Sequence, residues 1–253
     1  MSCAVWDDGN VSCWGRFTPP EPNGSGGTGL MRSSHVPRDI AGVTDVMKHI
    51  DIEEDIQGAS CAHMPLRDEV LARWISNLHD ERPSLQVIVD PVIGDHDHGV
   101  YVDPGIIEAY RRHLLPLAHG LTPNGFELER LTGQPTGDIG SVIAAARMLL
   151  TGRTQWVTVT SATPIALSPA EMQVAVVTRD ETRVLKHPRI ATSPKGTGDL
   201  FAAALTGHLL EGASIFEAAA QACNHVVIAL KHTHRARCAE LLLPPVGRAS
   251  CSG

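Results

Sequence analysis

Short runs of β-branched apolar residues alternate with helical patterns along most of the chain, and this alternation limits the fold more than any other feature. Residues 85–89 (LQVIV) and 156–160 (WVTVT) have the composition of strands buried on both faces. Between them, apolar residues recur at helical spacing, as at positions 71, 74, 75 and 78. We therefore expect an α/β fold with a mainly parallel central sheet and helices on both faces. A chain of 253 residues is long enough to bury one such core.

Turn and capping residues place several of the element ends. Gly133 is expected to end one helix, and Ser214 with Glu217 forms a capping box that begins a long apolar helix. Residues 172–178 (MQVAVVT) and 182–188 (TRVLKHP) are predicted to be neighbouring strands of a hairpin.

A polar, glycine-containing turn, residues 195–199 (KGTGD), leads directly into an apolar helix. Glycines at positions 196 and 198 let the backbone approach a ligand closely. The unpaired amides and the dipole at the start of the helix then make an anion site suited to phosphate. Because a carboxylate would repel that anion, Asp199 is better explained as a base that removes a proton from an alcohol. The turn therefore indicates phosphoryl transfer to a hydroxyl group, with helix capping by Asp199 as the alternative.

Polar side chains also follow the other predicted strands. Asp90 follows the first buried strand, Thr122 and Glu127 surround a helix start, and Thr160 ends the second buried strand. Ligands of open α/β sheets bind at the carboxyl ends of the strands, and ATP requires carboxylates for Mg²⁺ and hydroxyls for phosphate oxygens. Asp90 alone could simply end a strand, and Glu127 alone could be an exposed helix residue. Their joint placement favours a nucleotide site.

Charge and composition exclude several classes of function. The net charge of −7 and the pI near 6.0 provide no basic surplus for nucleic acid. The sequence has no apolar run long enough for a membrane span and no secretory signal pattern, so we expect a cytoplasmic protein. The six cysteines are scattered, which indicates neither a zinc site nor a disulfide framework.

Residues 1–55 differ from the rest of the chain. Residues 16–39 are rich in proline, glycine and serine, which predicts a loop or disorder. Residues 24–29 (GSGGTG) fit a dinucleotide-binding pattern formally, but prolines rather than a strand precede them. Farther along, residues 95–98 (DHDH) are expected to form a solvated loop rather than a metal site.

Several longer segments then narrow the family. The chain carries, in order, VDPVIGD (89–95), LTPNGFELERLTG (121–133), VTVTSA (157–162), EMQVAVVT (171–178) and KGTGDLFAAAL (195–205). Together they resemble the pyridoxal (pyridoxine, pyridoxamine) kinases of bacteria, within the ribokinase-like superfamily. The likeness covers roughly residues 57–247.

The resemblance implies ATP-dependent phosphorylation of the 5′-hydroxymethyl group of a B6 vitamer, with Mg²⁺, and it admits K⁺ as a monovalent cation. Asp199 matches the catalytic base that acts on the substrate, and the amides of Gly196, Thr197 and Gly198 match the anion hole. The positions that match nucleotide contacts are Asp90, Thr122, Glu127, Thr160 and Thr197, with His187, Pro188, Arg189 and Ile190 lining the adenosine. Tyr101 and Glu127 match positions tied to the metal. A homodimer is a further implication.

The amino-terminal segment departs from this family pattern. Such kinases begin with a strand, a loop whose serine touches the pyridoxal ring and a small β-flap, and residues 1–55 show no match to them. We expect an atypical, loop-rich segment over residues 1–55 and a ribokinase-like kinase domain over residues 56–253, with the start truncated or translated in the wrong frame. The alternatives are a hydroxymethylpyrimidine or sugar kinase of the same fold, and a non-catalytic remnant that still binds nucleotide.

Overall fold

The structure, a computed structural model, describes residues 2–5, 11–14, 64–162 and 170–244. Its helices are α1 (Met64–Glu81), α2 (Pro104–Ala109), α3 (Gly125–Thr132), α4 (Ile139–Met148), α5 (Thr197–Leu210) and α6 (Ile215–Ala236). Its strands are β1 (Ser2–Val5), β2 (Val11–Trp14), β3 (Val87–Val89), β4 (Gly94–Asp95), β5 (Gly99–Val100), β6 (Gly120–Leu121), β7 (Trp156–Val159), β8 (Glu171–Thr178) and β9 (Thr182–Pro188). Helix α2 continues into a π-helical turn (Tyr110–Leu114) and a 3₁₀ turn (Leu115–Leu117). None of the described helices combines the length and apolar character needed to span a bilayer.

The described strands form a seven-stranded mixed sheet in the order β2-β1-β3-β6-β7-β8-β9, and β4 pairs only with β5. Strands β3, β6 and β7 are parallel neighbours, whereas β1 and β8 run antiparallel to the strands on either side of them. Strands β2 and β9 are antiparallel to β1 and β8, so they point the same way as the three central strands. The expected mainly parallel sheet is therefore confirmed, with one reversed strand toward each edge.

Side chains of the central strands alternate between two hydrophobic cores. Val87, Val89 and Val157 pack with α1 and α4 on one face of the sheet. Ile88 and Trp156 pack with α5 and α6 on the other face. This two-residue alternation, with apolar residues on both faces, is typical of strands covered by helices on both sides. The prediction of helices on both faces is confirmed.

The predicted turn and cap residues fix the ends of the elements. Gly133 ends α3 in the left-handed conformation, with φ of 70°, and Ser214 and Glu217 form both bonds of the capping box that begins α6. Strands β8 and β9 form the predicted hairpin, and the Thr178 amide donates to the Glu181 carbonyl at its turn, at 2.8 Å. The predicted end of α3, the predicted start of α6 and the predicted β8–β9 hairpin are therefore confirmed.

Strands β1 and β2 correct the prediction for the amino-terminal segment. Residues 2–5 (SCAV) and 11–14 (VSCW) pair with each other, and β1 also pairs with β3. The expected absence of a starting strand is therefore wrong for these residues. The sequence offered a signal, since Asp8-Gly9 between two short apolar runs is typical of hairpins. The glycine-rich run at 24–29 lies outside the described residues, and the domain boundary at residues 55/56 stays a prediction.

Candidate active site

The carboxyl ends of β3 and β6 bring Asp90 and Thr122 into contact. The register pairs Val89 with Leu121, so the residues that follow these strands are neighbours. The Thr122 hydroxyl donates to Asp90 Oδ1 at 2.8 Å, and both side chains are buried. A carboxylate and a hydroxyl thus meet at the edge of the sheet where open α/β folds bind their ligands.

Thr160 lies at the same edge, two residues farther along the chain than the position opposite Thr122. Its partner across the parallel bridge is Asn124 rather than Thr122. The Thr160 carbonyl accepts a hydrogen bond from the Gly125 amide at 3.0 Å, and its amide donates to the Pro123 carbonyl at 3.0 Å. A Cβ on Gly125 would lie 3.0 Å from the Ser161 carbonyl oxygen, a tight contact, so glycine eases this close approach. The Thr160 backbone therefore holds the start of α3 against the end of β7.

Glu127 joins the start of α3 to the loop after β3. Its Oε2 accepts a hydrogen bond from the Asn124 amide at 2.8 Å, and its Oε1 accepts one from the Ile93 amide at 3.0 Å. Asn124 reciprocates through Oδ1, which accepts from the Glu127 amide at 2.8 Å, and its Nδ2 donates to the Gly94 carbonyl at 2.9 Å. Glu127 is therefore a buried residue of a capping box, and the alternative of an exposed helix residue is wrong.

Burial raises the pKa values of both acidic residues at this edge. The pKa of Glu127 rises to about 8, mainly through burial; hydrogen bonds from backbone amides oppose the rise, and the charge of Asp90 adds to it. The pKa of Asp90 rises to about 6 through burial, and the charge of Asp199 adds to the rise while the Thr122 hydroxyl opposes it. Two desolvated carboxyl groups, each with a further negative charge nearby, are poised to accept a cation.

The 195–199 turn forms the start of α5. Gly196 is the N-cap residue, in the left-handed conformation with φ of 92°, and no side chain caps the helix. Asp199 therefore occupies the third helical position, and the alternative that its carboxylate caps the helix is wrong. Asp199 is exposed, and within the described part of the chain its carboxylate accepts no hydrogen bond. The amides at the start of α5 and this carboxylate both stay available to a ligand.

Electrostatic effects show which of these residues lie together. The pKa of Tyr101 rises to about 12, through burial first and then through the charges of Glu127, Asp95, Asp199 and Asp90. The Tyr101 amide also donates to the Ile93 carbonyl at 3.2 Å. The structure thus brings Asp90, Thr122, Glu127, Tyr101 and the 195–199 turn to one end of the sheet.

Residues 187–190 comprise the last two residues of β9 and the two residues that follow it. Burial lowers the pKa of His187, and the Arg189 amide donates to the Ala170 carbonyl at 3.0 Å. Among the described residues, no hydrogen bond or ion pair joins His187, Pro188, Arg189 or Ile190 to Asp90 or Glu127. Residues 187–190 lead along the chain from the sheet edge into the 195–199 turn.

Residues 95–98 begin with the half-buried Asp95 at the end of β4 and continue as an exposed turn to β5. Asp95 Oδ1 accepts hydrogen bonds from the Asp97 amide at 2.9 Å and from the His98 amide at 2.7 Å, and the His98 ring lies beside it. In the described ranges, no group of three or more histidine, cysteine, aspartate or glutamate side chains is arranged to hold a metal ion. Sequence reasoning gave Asp95 no part in the site, although its charge reaches Tyr101.

Replacing Glu127 with Gln is expected to flatten the pH dependence of stability above neutral pH. A carboxyl whose pKa rises on folding from 4.5 to about 8 stabilises the fold fully below pH 4.5, and this contribution is lost as the pH rises through 8. We expect the free energy of unfolding to fall by about 1 kcal/mol between roughly pH 7 and 8.5 in the unsubstituted chain, and Glu127→Gln to lose most of that slope. Urea titrations across this range measure it.

The readout is the slope of stability against pH rather than the absolute stability. The Ile93 and Asn124 amides donate to separate Glu127 oxygens, whereas glutamine has one acceptor oxygen, so Glu127→Gln lowers the stability at every pH. His119, whose pKa burial lowers to about 4, titrates below this range. Glu108→Gln, at an exposed position that pairs with Arg112 at 2.6 Å, serves as the control and should keep the slope. An unchanged slope in Glu127→Gln would show that another group titrates.

Comparisons with known proteins agree with the geometry. A family model described as phosphomethylpyrimidine kinase matches residues 64–240. A pyridoxine/pyridoxal/pyridoxamine kinase of Bordetella bronchiseptica is 60% identical over 179 residues, which cover 71% of this chain and 63% of that relative. The chain thus spans less than two thirds of the length of such relatives.

Solved structures give the same result. A pyridoxal kinase from Staphylococcus aureus in complex with ADP has a TM-score of 0.56 and 29% identity, over 65% of this chain and 59% of that chain. The same enzyme in complex with AMP-PCP and pyridoxal has a TM-score of 0.55 and 28% identity, over 65% and 58%. The ribokinase-like fold and the resemblance drawn from the sequence are confirmed.

Proposed function

The chain belongs to the phosphomethylpyrimidine kinase family, and from this premise we propose that it transfers the γ-phosphoryl group of ATP to the 5′-hydroxymethyl group of pyridoxal, pyridoxine or pyridoxamine. The observation that carries the proposal is the position of Asp199, exposed at the start of α5 and electrostatically coupled to the buried Asp90. The relatives at 50–60% identity, which are kinases of these three vitamers, narrow the acceptor.

Asp199 is the proposed general base. Its carboxylate takes the proton of the acceptor hydroxyl while the oxygen attacks the γ-phosphorus, the bond to the bridging oxygen breaks and ADP leaves. The amides of Gly196, Thr197 and Gly198 have no partners inside the helix, and we assign them to the oxygens of the transferring group. The base and the amides are fixed on one helix start, so they keep a constant spacing.

The nucleotide is assigned to the adjacent edge of the sheet. Asp90, Thr122 and Thr160 lie at the carboxyl ends of β3, β6 and β7, and residues 187–190 would line the adenosine. Arg189 Nε and Nη2 are buried and have no hydrogen-bond partner among the described residues. Because buried unpaired donors are costly, a polar group of the nucleotide would be a suitable partner.

Glu127 and Asp90 fit a magnesium ion that is held mainly by the nucleotide. Burial raises the pKa of both carboxyl groups, the charge of Asp90 adds to the rise at Glu127 and that of Asp199 to the rise at Asp90, and a cation would relieve this repulsion. The Ile93 and Asn124 amides donate to separate Glu127 oxygens, and the Gly94 amide adds a further backbone hydrogen bond. A carboxylate offers about four lone-pair positions, so it could still bind a cation. Mg²⁺ commonly uses one or two carboxylates together with substrate phosphates, and there it would neutralise phosphate charge. Tyr101, beside Glu127, would adjoin this ion, and K⁺ stays a further expectation.

Two other functions are separated by experiment. The second candidate is a kinase of the same fold that acts on another acceptor, either hydroxymethylpyrimidine, which the family description favours, or a sugar. The third candidate is the non-catalytic protein that still binds nucleotide. All three candidates predict ATP binding, so the acceptor and the turnover distinguish them.

The purified chain is expected to form pyridoxal 5′-phosphate from pyridoxal and ATP, because the proposed base and anion site both lie in the described residues. The assay compares pyridoxal, hydroxymethylpyrimidine and ribose as acceptors, beside a calorimetric titration with ATP. Faster turnover of hydroxymethylpyrimidine or ribose would replace the proposed acceptor. Binding of ATP without turnover of any acceptor would establish the remnant.

Assembly and location follow from the same proposal. We propose a homodimer, which light scattering of the purified chain tests by its mass. A cytoplasmic location is proposed because the reaction consumes ATP, and fractionation of cells that produce the chain tests it.

A further inference from the structure

Lys195 lies directly before the N-cap of α5, and its ammonium faces the Tyr101 ring. Its Nζ lies 5.9 Å from the centroid of the Tyr101 ring, which is the outer range of a cation–π contact. Lys195 is exposed, and Tyr101 is 53% exposed. Within the described part of the chain, the Lys195 ammonium makes no ion pair. A weak, solvent-exposed contact of this kind is readily exchanged for a stronger one.

The surroundings of this cation are acidic. After burial, the charges of four carboxyl groups (Glu127, Asp95, Asp199 and Asp90) raise the pKa of the Tyr101 hydroxyl, and the ammonium lies over the ring of the same side chain. The triphosphate of ATP would bring several further negative charges to the same place. Phosphoryl transfer depends on cations that balance this charge. Lys195 is the first residue of the 195–199 turn, whose amides would hold the transferring phosphoryl group.

We propose that Lys195 is a further catalytic residue, whose ammonium leaves the Tyr101 ring to bind the terminal phosphate of ATP and holds it through the transfer. This inference rests on the proposed function. A lysine stem is flexible and carries three donors, so the ammonium can follow the phosphoryl group as its charge shifts. Before the nucleotide binds, the ammonium lies near the Tyr101 ring, 5.9 Å from its centroid.

Lys195→Met tests the inference, because it keeps the length of the side chain and removes the charge. The affinity for ATP, measured by calorimetry, is expected to fall about tenfold, while the affinity for AMP stays unchanged since AMP lacks the terminal phosphate. In the turnover assay, kcat should fall by roughly tenfold to a hundredfold. Lys195→Arg, which keeps the charge, should recover part of both losses. Lys231→Met, at an exposed position on α6, is the matched control and should change neither.

The outcomes separate this inference from the proposed function. If the unsubstituted chain turns over pyridoxal and Lys195→Met does so equally well, Lys195 is not catalytic and the function stands. Equal losses of ATP and AMP affinity would assign Lys195 to the fold of the turn and overturn the inference. If the unsubstituted chain neither binds ATP nor transfers phosphate, both proposals fail together. If it binds ATP without turnover, the contrast between ATP and AMP still decides the inference.

Discussion

Asp199→Asn should lower kcat by about 10³-fold while changing the affinity for ATP by less than about threefold. The substitution keeps the size of the side chain and removes only its capacity to accept a proton. We expect the loss of turnover to come from slower deprotonation of the acceptor hydroxyl, with ATP binding retained. The carboxylate caps no helix and accepts no hydrogen bond from the described residues, so its loss should leave the turn intact. Turnover with pyridoxal and calorimetric titration with ATP measure the two quantities on the same preparation.

Asp138→Asn is the matched control for this variant. Asp138 is an exposed N-cap whose side chain accepts a hydrogen bond from the Ser141 amide at 2.8 Å. Asparagine caps a helix about as well as aspartate, so this change should leave turnover and stability nearly unchanged. Loss of ATP binding by Asp199→Asn in proportion to its loss of turnover would show that Asp199 shapes the turn rather than removing a proton.

The grouping of residues at the carboxyl edge could be predicted because it depends on strand direction. Parallel strands end at one edge, so residues that follow buried apolar runs are brought together whatever the exact register. Asp90 and Thr122 illustrate this, since their side chains are hydrogen-bonded at 2.8 Å although they are 32 residues apart. The roles assigned to these residues stay predictions.

Residue-by-residue placement could not be predicted, because it depends on register. Thr160 is bridged to Asn124, two positions beyond Thr122, and no local pattern sets that offset. The burial of Glu127 also arises from tertiary contact, through the Ile93 amide in a different segment. The bonds between Glu127 and Asn124 could have been predicted, since Asn124 with Glu127 three residues later is typical of a capping box.

The amino-terminal strands were missed for a different reason. Residues 2–5 and 11–14 are four residues each, too short to show a periodicity above the proline-rich and glycine-rich composition that follows. Strand β1 pairs with β3 over residues 87–89. The Asp8-Gly9 pair is a local hint of a hairpin, but the pairing of β1 with β3 depends on a partner far away in the chain, which no local window contains.

Gly120→Ala is expected to destabilise the fold by about 3 kcal/mol, near the upper end of the usual cost of overpacking. A Cβ at this position would lie 2.0 Å from Trp156 Cζ2, and Trp156 is buried beside α5 and α6. Gly120 pairs with Trp156 across the parallel strands β6 and β7, so neither backbone can retreat without breaking the sheet next to Thr122. Urea unfolding measures the loss.

Gly207→Ala provides the opposite control on the same chain. Gly207 lies within α5, and no neighbour comes within 4 Å of its added Cβ, so alanine should stabilise the fold by about 0.5–1 kcal/mol. The cause of the Gly120→Ala loss is tested in the background Trp156→Leu, where the smaller side chain leaves space for the new methyl group. If the contact with the Trp156 ring causes the loss, Gly120→Ala should lower the free energy of unfolding less in that background than in the unsubstituted chain. An equal loss would instead assign the cost to the backbone of β6.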